Sequence, residues 1–207
     1  MSSYGIVVVG TSWGGLAALR AVVAGLPGDF PVPVALVQHR HRSSDGLLSR
    51  LLQELTSLQV CEAEDKMPIV PGQIVVAPAD YHLLVDEGAY TLTTDAPVRF
   101  SRPSIDVTFA SAADVFAERT LGVVLTGANE DGAAGLRRIV ARGGLAVVED
   151  PSSAESRAMP TAALAAVPDA VVRALPEIPE YLVSIARATV VAWQAPVPSG
   201  APLPPRR

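Results

Sequence analysis

The sequence predicts an α/β fold in which parallel strands alternate with helices covering both faces of a sheet, with one antiparallel hairpin near an edge. Three observations carry that expectation. Apolar runs of strand length recur along the chain, and segments with apolar residues at three- and four-residue spacing lie between them. One further stretch is interrupted by Asp86-Glu87-Gly88, a turn signal in the middle of strand-like sequence.

Ile6 to Val9 is the first predicted strand, and it runs into Gly10-Thr11-Ser12-Trp13-Gly14-Gly15. Leu16, Leu19, Val22, Val23 and Leu26 follow at helical spacing, so one face of that helix is expected to pack on the sheet. Val34 to Val37 is the second strand, and Leu47, Leu48, Leu51, Leu52 and Leu55 mark a second amphipathic helix. Gln73 to Ala77, Leu121 to Leu125, Leu145 to Val148 and Ala170 to Val172 complete the predicted strands, with a helix over Ala133 to Arg142. His82 to Thr94 reads as the hairpin. Ala195 to Arg207 holds five prolines and no apolar periodicity, which predicts a disordered tail after one domain spanning residues 1–194.

Bulk properties remove several function classes. The 207 residues suit one sizeable core, and the apolar share of 49% makes a membrane span the first alternative to test. The longest apolar stretches are broken by Arg, Gly, Pro or Asp before the roughly 18 residues a spanning helix needs. No basic segment precedes the first apolar run, so a secretory signal is not expected. A single cysteine, Cys61, provides neither a disulfide framework nor metal-ligand spacing, and a reducing cytoplasm fits. The formal charge of -5 offers no general attraction to nucleic acid or anionic lipid. No cofactor or metal is called for, and neither nucleic acid nor direct membrane insertion is expected.

Three loops carry candidate chemistry. A serine at a sharp strand-to-helix turn has its hydroxyl exposed above the sheet, with the helix N-terminus offering free N–H groups and positive dipole to a developing oxyanion. Ser12 is in such a place. The same Gly10 to Gly15 loop also reads as a phosphate- or dinucleotide-binding turn, and these six residues do not separate the two. His39 follows the second strand, at the carboxyl rim where open parallel sheets bind ligands. Asp131 lies in Thr126-Gly127-Ala128-Asn129-Glu130-Asp131-Gly132 after the strand Leu121 to Leu125 and reaches the same rim. It is able to orient a histidine, or simply to cap the next helix, in which case Glu130 competes for the functional role. His41 reads as exposed and His82 as structural.

These loops resemble the catalytic domain of the chemotaxis protein-glutamate methylesterases, the CheB type. Gly10 to Gly15 resembles its G-A-S-T-G-G loop, Gln38-His39 its Q-H, and Leu125 to Gly135 its L-T-G-M-G-x-D-G-A-x-G. Glu62 to Asp65, Pro71-Gly72, Ala77 to His82 and Arg102 to Val107 resemble the linking segments, so the likeness runs over roughly residues 5 to 190. The resemblance implies a doubly wound, mainly parallel sheet and hydrolysis of γ-glutamyl methyl esters on cytoplasmic chemoreceptor helices, with glutamine deamidation as a companion reaction. It implies Ser12 as nucleophile, His39 as base and then acid, and Asp131 as orienting carboxylate. Trp13, Gly14, Gly127, Ala128 and Asn129 are then expected around the oxyanion and substrate cleft.

Departures from the pattern set further expectations. Family members carry a receiver domain before the esterase; here the first strand begins almost at once, which predicts a stand-alone catalytic domain. Trp13 replaces a small Thr, Ala128-Asn129 replaces Met-Gly, and Arg40-His41 replaces Met-Pro. Arg40 and Arg42 are expected to be solvated or to meet acidic substrate helices. The remaining alternatives are a nucleotide-binding domain and a catalytically silent signalling scaffold, the latter favoured by an indole that occludes Ser12. The expected partner is a methylated chemoreceptor or another methylated protein.

Overall fold

Because parallel strands are covered on both faces, their sequences are apolar almost throughout. The computed structural model, which describes residues 4–44 and 46–193, follows that rule. Strands β1 (Ile6–Thr11), β2 (Val34–Gln38), β3 (Gln59–Glu62), β4 (Gln73–Val76), β7 (Thr120–Val124), β8 (Leu145–Glu149) and β9 (Val171–Arg173) form one sheet in the order β3-β4-β2-β1-β7-β8-β9. Every pairing in it is parallel. All six residues of β1 are buried, as a central strand requires.

Alternation along each strand divides the core in two. Val7 and Val9 point to the face covered by α1 (Gly15–Gly25), α2 (Leu47–Gln53) and α6 (Ile178–Trp193), where Leu19, Leu52 and Leu182 pack. Ile6 and Val8 point to the other face, under α3 (Ile105–Phe116), α4 (Ala133–Ala141) and α5 (Ala158–Ala166), with Phe109, Ile139 and Met159. The fold is therefore a doubly wound α/β sandwich, as expected.

The hairpin is β5 (His82–Asp86) and β6 (Ala89–Thr93), turned at Gly88 in a left-handed conformation. It does not extend the main sheet. Its Leu83, Val85 and Tyr90 instead enter the second core beside α3, and the segment leaving edge strand β3 is tied to it through Lys66 N–H to Tyr90 O. β3 escaped the sequence reading because Gln-Val-Cys-Glu is short and half-polar, which an edge strand tolerates. Helices α3, α5 and α6 are further elements without a sequence expectation. The tail expected over 195–207 lies outside the described residues. Among those residues, no helix is long and apolar enough to cross a membrane.

Strand order reverses between β1 and β7: the chain winds one way through β2 and β4, then returns to continue through β7, β8 and β9. The crevice at such a switch point, at the carboxyl ends of the strands, is where an open sheet leaves space between diverging loops. The loops after β1, β2 and β7 all end there.

Candidate active site

Backbone bonds bring the three rim loops together before any side chain acts. Ser12 N–H and Thr11 Oγ1 both donate to Thr126 O, at 3.0 and 2.8 Å, tying the end of β1 to that of β7. His39 N–H donates to Thr11 O at 3.1 Å, which ties in β2. The side chains continue the arrangement. Ser12 Oγ lies 3.2 Å from His39 Nδ1, and His39 Nε2 lies 2.7 Å from Asp131 Oδ2. His39 is about one-eighth exposed and Asp131 fully buried. A buried carboxylate accepting from one ring nitrogen leaves the other as a lone pair facing the serine hydroxyl, the arrangement that lets an imidazole take a proton from an alcohol.

Asp131 is held by the start of α3. Ser104 Oγ and Asp106 N–H donate to Oδ1, both at 3.0 Å, and Ile105 N–H donates to Oδ2 at 2.7 Å. Helix N-terminal amides are otherwise unpaired and carry partial positive charge, so they favour an ionised carboxylate there. Burial pushes the Asp131 carboxyl up. The hydrogen bonds from His39 and from the Asp106 and Ile105 amides, with the charge of His39, outweigh it and hold the group below its usual range. Asp106 reciprocates by accepting from Gly132 and Gly135 N–H at 2.9 and 2.7 Å, at the start of α4. Asp131 thus accepts from amides at the start of α3, and Asp106 from amides at the start of α4. Asp106 is pushed up, first by burial and further by the Asp131 charge, against the Gly135 and Gly132 amides and Arg99.

The cleft beside Ser12 has a volume of about 860 Å³ and is lined by Trp13, Gly14, Arg20, Ala128 and Glu155 among others. Trp13 is 67% exposed, a wall of the open cleft, and Ser12 stays within reach of His39, so the condition that favoured a silent scaffold is not met. Gly14 starts α1 with φ 77°, and a Cβ there would press on the Glu155 carboxylate at 2.7 Å. Among the described residues, the amides of Trp13 and Ala128 donate to no protein acceptor.

Gly127, expected near the oxyanion, has its N–H committed to Ser156 O at 3.1 Å. Its importance is steric. An added Cβ would collide with Met159 Sδ and sit 3.0 Å from Ser12 Cβ. We expect Gly127→Ala to cost about 1–3 kcal/mol, as overpacking does, and to lower turnover by displacing Ser12. Thermal unfolding and ester turnover, measured on the same preparation, check both effects.

Other expectations meet mixed outcomes. Arg40 is neither solvated nor turned toward a substrate: its side chain is 8% exposed and donates to Glu62 Oε1 at 2.5 Å and Ala77 O at 2.6 Å. Both bonds use Nη2, while Nε and Nη1 are buried without a partner among the described residues, so pairing offsets only part of the desolvation. Arg42 and His41 are exposed. His82 is 1% exposed, with Nδ1 accepting from Ser104 N–H at 3.1 Å and Nε2 donating to Ala96 O at 3.2 Å, so it braces the segment under Asp131. Glu130 faces solvent and pairs with Arg99, leaving Asp131 to face the histidine. Sequence reasoning missed Ser101, Ser104 and Asp106. The Ser104-Ile105-Asp106 pattern, a cap residue at a helix start, was the available signal for the last two.

Comparison with known proteins gives a consistent result. The family model described as CheB methylesterase matches residues 7–182. A putative protein-glutamate methylesterase/protein-glutamine glutaminase of Leptospira interrogans is 41% identical over 184 residues, covering 88% of this chain and 95% of its own. The protein-glutamate methylesterase FrzG of Myxococcus xanthus is 39% identical over 165 residues, covering 78% of this chain and 48% of its own. The crystal structure of the Thermotoga maritima CheB methylesterase catalytic domain matches with TM-score 0.83 and 32% identity, covering 89% of this chain and 100% of that one. The family match runs through all three rim loops and most of the sheet that carries them, and the chain belongs to the CheB methylesterase family.

Proposed function

We propose that this chain hydrolyses γ-glutamyl methyl esters on the cytoplasmic helices of methylated chemoreceptors, and deamidates glutamine at such positions, using Ser12, His39 and Asp131. The observation that carries the reading is the unbroken relay from Ser12 Oγ to His39 Nδ1 at 3.2 Å and from His39 Nε2 to Asp131 Oδ2 at 2.7 Å. A phosphate-binding loop has no use for a serine engaged by a histidine, so the nucleotide-binding alternative gains no support from it.

Ser12 Oγ passes its proton to His39 Nδ1 as it bonds to the ester carbonyl carbon. The carbonyl oxygen takes the negative charge, and the unpaired amides of Trp13 and Ala128 donate to it beside the N-terminus of α1. Collapse breaks the bond to the methoxy group, which takes the proton from His39 and leaves as methanol. Water then gives a proton to His39 and attacks the acyl carbon. The Ser12 oxygen leaves, recovers the proton, and the glutamate carboxylate is free. With glutamine the same sequence expels ammonia.

The test is incubation with methyl-labelled receptor, following released methanol. Release above background supports the assignment; hydrolysis of a small methyl ester without release from receptor would sink the receptor as substrate.

A further inference from the structure

Asn129 stands where the resembling loop carries glycine, and its side chain reaches the catalytic imidazole. Its Oδ1 accepts a hydrogen bond from Asp131 N–H at 3.1 Å, which commits the oxygen end of the amide. The NH2 end therefore faces the other way, 3.3 Å from His39 Nδ1. An NH2 group only donates, so Nδ1 must be the bare, accepting nitrogen of the ring. Asp131, on the opposite side, demands the same tautomer by accepting from Nε2. Two residues separated by one position hold the ring from its two nitrogens.

We infer that Asn129 is a positioning residue that steadies the His39 ring with its bare Nδ1 toward Ser12, an inference that rests on His39 being the general base. Nδ1 has one lone pair, and three groups crowd it: Ser12 Oγ at 3.2 Å, Asn129 Nδ2 at 3.3 Å and Ser101 Oγ at 3.4 Å. The amide holds the imidazole in plane while the hydroxyl of Ser12 is free to exchange proton. Once Nδ1 carries the serine proton, N–H faces N–H2 and that contact must yield. Asn129 thus opposes the imidazolium and favours return of the proton to the leaving group. The other charged groups near the ring are Asp131, Asp106, the Arg99–Glu130 pair, Arg40 with Glu62, and Arg20 and Glu155 in the cleft. All of these are unchanged by substitution at 129.

Asn129→Asp separates this role from loop support, because an aspartate is isosteric and still accepts from Asp131 N–H. It presents an acceptor where the donor was. The expected result at neutral pH is a His39 ring whose 15N spectrum shows two protonated nitrogens in the variant against one protonated and one bare nitrogen in the parent. Turnover falls by about tenfold or more, as loss of a well-poised base does, while KM stays within about twofold, because Asn129, contrary to the expectation from the resemblance, is not among the residues lining the cleft beside Ser12. Asn129→Gly, the residue of the resembling loop, is expected to keep a bare Nδ1 but shift its signal as the amide contact disappears. A parent-like ring spectrum and turnover in Asn129→Asp would overturn the inference. If Ser12→Ala is dead in the same assay, that failure leaves the esterase reading standing; if Ser12→Ala is active, both fall.

Discussion

Ser12→Ala is expected to lower methyl-ester turnover by about 10⁴- to 10⁶-fold and leave the protein folded. The two halves of that statement come from different atoms of one residue. Structure depends on its backbone N–H, which donates to Thr126 O and joins two rim loops; alanine keeps that bond. Chemistry depends on Oγ, the one atom removed. Ser12 is only half-buried, so losing its hydroxyl creates no sizeable cavity. Methanol release from labelled receptor, a serine-directed fluorophosphonate label and a thermal melt together read the outcome. The label is expected on the parent and absent from the variant. Turnover persisting at a similar rate in a folded Ser12→Ala protein would remove Ser12 from the mechanism.

Substitution of Asp131 is expected to damage both activity and stability. The carboxylate accepts from four donors: His39 Nε2, Ser104 Oγ, and the amides of Ile105 and Asp106. Asparagine has one oxygen to offer, so either His39 or the helix amides meet an NH2 group. Turnover of Asp131→Asn is expected to fall by about 10⁴-fold, the effect of a base held in the wrong tautomer. Stability is expected to fall by about 2–4 kcal/mol, since buried donors lose their acceptor. The pH dependence has a definite sign. The folded-state pKa of Asp131 is depressed relative to the unfolded chain, so its contribution is complete above about pH 5 and is lost as pH falls through the folded value. The stability gap between parent and variant should therefore close in acid. Urea melts over a pH series check it, and a gap that widens toward low pH would contradict the assignment. Asp106, whose carboxyl is raised, works in the opposite sense, contributing most in acid and losing that contribution as pH rises.

The legible parts of this protein were those written in local pattern. Ile-Val-Val-Val before a glycine-rich turn left little choice but a buried strand feeding a helix, and the alternation around Asp86-Glu87-Gly88 left little choice but a hairpin. That Ser12, His39 and Asp131 meet was legible because each follows a strand at the same rim, and because their surroundings resemble one family's loops. Arg40 was misread for a related reason. A charged residue in the run Arg-His-Arg looks solvated in one dimension, while in the fold its neighbours are Glu62 and Ala77, brought alongside by strands β3 and β4.

The amino-acid order by itself determined every strand but β3, the helices α1, α2 and α4, the apolar faces of the first two, and which three loops reach the carboxyl rim, because those properties depend on neighbours a few positions away. The tertiary structure decided which ring nitrogen meets Ser12, how the starts of α3 and α4 exchange aspartates, and where the Asn129 amide points. Those depend on contacts across 27 positions of sequence between Ser12 and His39, 25 between Asp106 and Asp131, and 90 between Asn129 and His39. Only the closing of the sheet at its switch point sets them.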